Sequence, residues 1–355
     1  MFKNIYYYKP NLDEVVKRYK ALYETSSPGH AIVYAMPAFV EKESVPKLNS
    51  LNLDIDMEMY LDICLRNYRA FLELTRQIPD DLLPTFGPNF GIGDYSAFIK
   101  GEVVYTEDTS WAAPILNELS EMDQLELNSD AYWVKMLERA MRHLVKQTAD
   151  GPIALVRGYY SPLDLAHALR GESLFTDFVD SPEEVHKLMA FCARAIVWIA
   201  SRIRAIHGLI WEGNVAGAWL KPGTICMSED IACLVSPKIY AAFARPYTQY
   251  VIDQIGFGQI HTHSLGVRTI PEISKLNSLL GIQISDDPNT EPAFSQLDFL
   301  LPRTNPIPLT VGCTPEQVYL KAQAILKEHN LTFAASVNSV EEGQTLINWV
   351  RNHSL

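Results

Sequence analysis

Residues 236–285 read SPKIYAAFARPYTQYVIDQIGFGQIHTHSLGVRTIPEISKLNSLLGIQIS, and two periods alternate within them. Ser236 and Pro237 make a helix start, with apolar residues at helical spacing carrying that helix through Ile255. Gln259–His263 then reads as a strand, Ile270–Lys275 as a helix and Leu280–Ile284 as a second, apolar strand. Strands separated by helices rather than by tight turns predict a parallel sheet, because a parallel pair needs a crossover between its members.

The same alternation extends both ways. Upstream, Ser129–Thr148 reads as helix, Ile153–Val156 as a buried strand, Pro162–Leu169 as helix, a Ser181-capped helix runs to about Ile206, and Leu209–Trp211 reads as strand. Downstream come strand Pro308–Val311, a helix opened by Thr314-Pro315-Glu316 and reaching Glu328, strand Leu331–Ala335, and a last helix opened by Ser339. Nearer the start, Asn11 to about Thr25 and Met57–Gln77 read as helices and His30–Met36 as a strand. The stretch PTFGPNFGIG, with Gly87, Gly91 and Gly93, has no strand–turn–helix frame and no following Lys-Ser/Thr, so a structural loop is expected, not a phosphate cradle. Repeated βα units predict an α/β fold. In a chain of 355 residues a (β/α)8 TIM barrel is favoured over an open sheet, with residues 1–80 as an N-terminal helical extension and 81–355 as the barrel.

Composition narrows the function. The hydrophobic fraction of 48% and charged fraction of 20% are those of a globular chain with a large core. Thirty Lys and Arg against 42 Asp and Glu give a net charge of −12, which argues against nucleic acid or an anionic membrane as a partner. A small-molecule substrate is expected instead. No apolar run of membrane-spanning length occurs, and the opening MFKNIYYYKPNLDEVVKRYK lacks the apolar stretch of a signal peptide. The five cysteines are scattered, odd in number and without a CxxC pair, which predicts free thiols and a cytoplasmic location.

Chemically able residues cluster after the expected strands, and in a barrel those ends share one rim. Tyr159, Glu212, His261, Asp287, Cys313 and Ser336 are therefore expected on the same rim. His261 and His263 are the sharpest signal: period two places both imidazoles on one strand face, within reach of one metal ion. A third ligand must come from elsewhere, and Glu212, Asp230, Asp287 and Cys313 are the candidates, an acid being favoured over the thiol. The Thr-Pro-Glu helix start beside Cys313 could lower its pKa. Asp230, Glu212, Tyr160 and His167 are the catalytic candidates, and Tyr159, Asp287 and Asn338 the substrate-binding ones.

Several segments together resemble the uroporphyrinogen decarboxylase superfamily. They are GPIALVRGYYSPLDLAHALRGESLFTDFVDSPEEVHKLM, then SEDIACLVSPKIYAAFARPYTQYVIDQI with Asp230, Ser236, Pro237, Tyr240, Phe243, Pro246 and Tyr247 in place, then IHTHSLG, VGCTPEQV and SVNSVEEGQTLINWV. The resemblance covers roughly residues 80 to 350 and implies a (β/α)8 barrel with Asp230 as the pocket acid. Against the true decarboxylases, the arginine-rich N-terminal motif is missing, His167 falls where a tyrosine is expected, and AASVNSV replaces the closing GHG. The corrinoid-linked methyltransferase branch holds zinc through a His-x-Cys pair and a distant cysteine. Here His261 matches the histidine, His263 replaces the first cysteine, and Ser336 to Asn338 stand where the second would be. A third, uncharacterised branch is the most similar overall, in the loop before the acid and in the closing strand that leads into TPEQV; beside it, the methyltransferase branch implies a zinc-dependent enzyme partnered by a separate corrinoid protein, as a monomer or homodimer. A metal-free decarboxylase or lyase is the alternative, with Asp230 stabilising a cationic intermediate and His261 or His263 acting as acid.

Overall fold

The computed structural model describes residues 6–24, 27–37, 42–107, 109–149, 151 and 153–355. Within them the strands are β1 (Ala31–Pro37), β2 (Thr85–Phe86), β3 (Val103–Tyr105), β4 (Ser110–Ala112), β5 (Ala154–Leu155), β6 (Tyr159–Tyr160), β7 (Asn214–Ala216), β8 (Ala218–Leu220), β9 (Thr224–Ser228), β10 (Phe257–His263), β11 (Leu279–Ser285), β12 (Leu309–Cys313) and β13 (Leu331–Val337). Seven of them form one sheet in the order β1-β13-β12-β11-β10-β9-β6, every pair parallel. β2 and β5 pair in parallel beside it, and β3–β4 and β7–β8 are antiparallel hairpins.

Alternation along the strands separates two faces. Ile260, Thr262, Ile282, Ile284, Leu309 and Val311 are buried on one, while Gln259, His261, His263, Gln283, Ser285 and Thr310 stand half-buried on the other. The apolar face packs under the crossover helices, chiefly Pro182–His207, which lies against Tyr132–Gln147, Pro162–Arg170 and Arg245–Ile255. A smaller core lies on the polar side, where Leu12, Val15, Tyr19 and Leu22 of helix Leu12–Glu24 meet Ile32, Leu83, Ala154 and the hairpin residues Val215 and Trp219. No helix among the described residues is long and apolar enough to cross a membrane.

Most expected elements are present within a few residues of their predicted ends. Helix Leu12–Glu24 accounts for the described part of the helix expected from Asn11 to about Thr25, and Thr25 lies outside the described residues. The glycine loop is structural: a Cβ on Gly87 would sit 1.9 Å from the Val156 carbonyl oxygen, so the chain passes β5 too closely for any side chain. Two expectations are corrected. The boundary near residue 80 cuts through the sheet, because β1 lies before it and pairs in register with β13 from Ala31–Leu331 to Pro37–Val337; the first 80 residues are not a purely helical extension.

Leu209–Trp211 is also not a strand. Trp211 and Glu212 both have positive φ, 56° and 58°, and form the tight turn between bridged Ile210 and Gly213. The strand expected there is β9, thirteen residues further on.

Candidate functional site

The site stands at the carboxy-terminal ends of β9, β10 and β11. Register sets His261 between Ser228 on β9 and Gln283 on β11, and puts His263 beside Ser285. The two imidazoles cross at 82° with their Nε2 atoms 3.2 Å apart. Asp230, just past β9, brings Oδ1 to 3.5 Å from each Nε2.

What lies behind each ring fixes its tautomer. His263 Nδ1 is 2.9 Å from Asp287 Oδ1, an acceptor, so the proton sits on Nδ1 and is donated to the carboxylate. His261 Nδ1 donates to Gln283 Oε1, whose amide is oriented by donating its Nε2 protons to Ser285 Oγ at 3.0 Å. In the neutral imidazoles both Nε2 atoms then carry lone pairs, and they converge with a carboxylate oxygen. Asp230 Oδ1 is itself buried without a hydrogen-bond donor. The two Nε2 atoms and Asp230 Oδ1 thus converge as three donor atoms that a cation would satisfy.

The loop carrying Asp230 is held from beneath. Asp164, buried at the start of helix Pro162–Arg170, accepts from Ser228 Oγ at 2.7 Å and from the backbone N–H groups of Asp230 and Ile231 at 3.0 and 2.9 Å. Burial, and then the neighbouring Asp230 and Glu229 charges, push the Asp164 carboxyl well above its ordinary range. Glu229 is fully buried and accepts hydroxyl bonds from Ser161, Tyr240 and Thr248 at 2.9, 2.9 and 2.7 Å; burial nevertheless pushes it up to about 7. One carboxyl group thus ties β9 to three helical segments directly beside Asp230.

A cavity of about 390 Å³ opens against the cluster, with Asp230, His261 and Gln283 on one side and Tyr34, Tyr95, Tyr159 and Tyr160 among its walls. Ala216, Ala218 and Leu220 of the β7–β8 hairpin line its far end. Largely apolar walls with a few convergent polar groups are what a small-molecule site requires.

The sequence candidates divide accordingly. Asp230, His261 and His263 come together as the one group among the described residues with metal-ligand spacing. Tyr159 and Tyr160 line the cavity. Asp287 is engaged with His263, Leu265 N and Ser264, so it supports a ring instead of lining the cavity.

Cys313 lies on the apolar face in the main core, and burial pushes its thiol up to about 12, the reverse of the expected lowering. Glu212 is exposed in the turn before Asn214, whose side chain accepts from Thr224 N at the start of β9, whereas His261 lies beside its end; about 13 Å of strand separate the two levels. His167 faces Glu172 and Phe175 away from the cluster. Asn338 is exposed, its N–H bonded to Glu342 ahead of the last helix. Gln283 and Asp164 were missed. Gln283 is legible as the one polar residue of the expected strand Leu280–Ile284, but no local pattern marks Asp164.

No family model matches the chain, and no curated protein matches it by sequence. Among solved structures, a methyltransferase from Methanosarcina mazei shares its fold, with a TM-score of 0.60 over 95% of this chain and 98% of that one, at 12% identity.

Proposed function

We propose that this chain is a metal-dependent methyltransferase acting on a small molecule, with a divalent ion, zinc in the first instance, held by Asp230, His261 and His263. One observation carries the metal reading. The three donor atoms form a triangle with edges of 3.2, 3.5 and 3.5 Å. Ligands on a tetrahedral ion with bonds of about 2.0–2.1 Å are separated by about 3.3 Å. A bound ion would supply a Lewis acid that lowers the pKa of a thiol or polarises the leaving group of a methyl donor. Asp287 and Gln283 orient the two Nε2 atoms inward, Asp164 fixes the Asp230 backbone, and Tyr159 and Tyr160 line the cavity. An N/O donor set without thiolate also suits metals other than zinc.

Methyl transfer is supported by the fold shared with the M. mazei methyltransferase and by the sequence resemblance to the corrinoid-linked branch, from which a separate corrinoid protein is proposed as methyl carrier. We also read the fold as a closed (β/α)8 barrel. β1, β2, β5 continued by β6, and β9 to β13 make eight parallel strands, and Asp81 N donates to Val33 O across the seam between β1 and β2. The smaller core of helix Leu12–Glu24 and the β7–β8 hairpin would then plug the end opposite the site. The metal-free decarboxylase alternative is disfavoured by the cavity, which offers a substrate carboxylate no lysine or arginine among its lining residues.

The test is demethylation of methylcobalamin in the presence of a small thiol, followed by the cobalamin spectrum. Turnover is expected to vanish with a chelator, return with Zn²⁺ and be lost in Asp230→Asn. Turnover indifferent to both chelator and substitution would refute the reading.

A further inference from the structure

The cavity beside the cluster has a one-sided chemistry. Four tyrosines contribute to its walls, Asp230 is its one carboxylate, and no lysine or arginine lines it. Burial holds the Tyr34, Tyr159 and Tyr160 phenols above their ordinary range, so they remain neutral. Two of the hydroxyls are tied back: Tyr160 Oη donates to Ile92 O at 3.2 Å, and Tyr34 Oη accepts from Tyr19 Oη at 2.9 Å. Tyr95 and Tyr160 stand 5.2 Å apart at 34°, as adjoining wall panels. Two guanidiniums stand behind the walls: Arg157 lies over the Tyr95 ring at 4.6 Å and pairs with Asp94 at 2.6 Å, and Arg204, whose charge reaches Tyr159 and Cys226, donates to Thr224 O at 3.0 Å.

Neutral aromatic walls with one carboxylate attract a cation that carries its charge on an apolar surface, because ring quadrupoles favour a desolvated cation and cannot replace the hydration of an anion. A divalent ion on Asp230, His261 and His263 would be balanced in charge by Asp230 and Asp287, but its open position would itself take a carboxylate, so the rejection of anions belongs to the metal-free cavity. We propose that the cavity selects a methylated onium group, a quaternary or tertiary ammonium on a short chain, and rejects anionic ligands of the same shape. The proposal rests on the cavity's being the substrate site of the metal-dependent enzyme and names the class of ligand it takes.

Three isosteres separate charge from shape: choline, 3,3-dimethylbutan-1-ol and 3,3-dimethylbutanoate. Their binding to the full-length protein is measured by calorimetry, with metal content determined on the same samples. Choline is expected to bind at least about tenfold more tightly than the alcohol, and in the metal-free protein the carboxylate more weakly than either. Tyr160→Leu should remove most of choline's advantage, whereas Tyr160→Phe, which keeps the ring, should preserve it. Equal affinity for choline and the alcohol, preference for the carboxylate in the metal-free protein, or no binding of any of the three overturns the proposal. Metal content reads the other claim separately. A metal-loaded protein without onium preference fails this inference alone, and an onium-selective protein without metal fails the metal reading alone.

Discussion

At His263 it is the carboxylate behind the ring, as much as the ring itself, that makes a ligand. Asp287 fixes the Nδ1 proton at 2.9 Å and is in turn held by Leu265 N at 2.8 Å. Removing such a support costs roughly 10–100-fold in metal affinity, so Asp287→Ala should weaken binding by that factor in chelator competition; unchanged affinity would strip Asp287 of this role. Asp230 makes no side-chain cap to the short helical turn that follows it. Asp230→Asn should therefore abolish turnover with the melting temperature nearly unchanged, and a loss of about 1 kcal/mol or more would return it to a capping role. Cys313→Ala should leave metal stoichiometry intact while costing about 1 to 2 kcal/mol, because its sulfur fills the core under the helices. The histidine pair was legible from period two alone. The burial of Cys313 was not, because its facing depends on where β12 begins and one residue of register turns every side chain over.

Among the elements, those with strong local signals were legible and those fixed by tertiary pairing were not. Ser339 and Thr314 do cap their helices, Thr314 in a reciprocal box with Gln317. β9 escaped because five residues, TICMS, carry no alternation that sets them apart, and its pairing with β10 from Phe257–Thr224 to His261–Ser228 is invisible in sequence. The tight turn between Ile210 and Gly213 reads as that strand instead, which puts Glu212 on the wrong level.

The β7–β8 hairpin, between that turn and β9, buries Trp219 in the smaller core while Ala216, Ala218 and Leu220 line the cavity. Trp219→Ala should cost about 3–5 kcal/mol in denaturant unfolding. A loss below about 1 kcal/mol would mean that the hairpin is not part of the packed interior.

Over the whole molecule, alternation of helix and strand gave away the parallel sheet, but the seam beside β1 had no signature. There the ladder is replaced by side chains: Val33 N donates to Asp81 Oδ2 at 2.8 Å and Ala35 N to Asp80 Oδ2 at 3.1 Å. Asp81 pairs with both Arg18 and Arg351, and Asp80 with buried Lys9, so residues from both ends of the chain meet at this seam. Removing one partner of a buried ion pair costs about 3–5 kcal/mol, and Asp81→Asn should approach that value. A neutral effect would show that the seam does not hold the sheet.

The central claim is the ion on Asp230, His261 and His263, and elemental analysis of the purified chain tests it most directly. About one equivalent of a divalent metal is expected in the wild type, lost in both His261→Ala and His263→Ala while the variants remain folded. Metal-free wild-type protein that is fully active would contradict it.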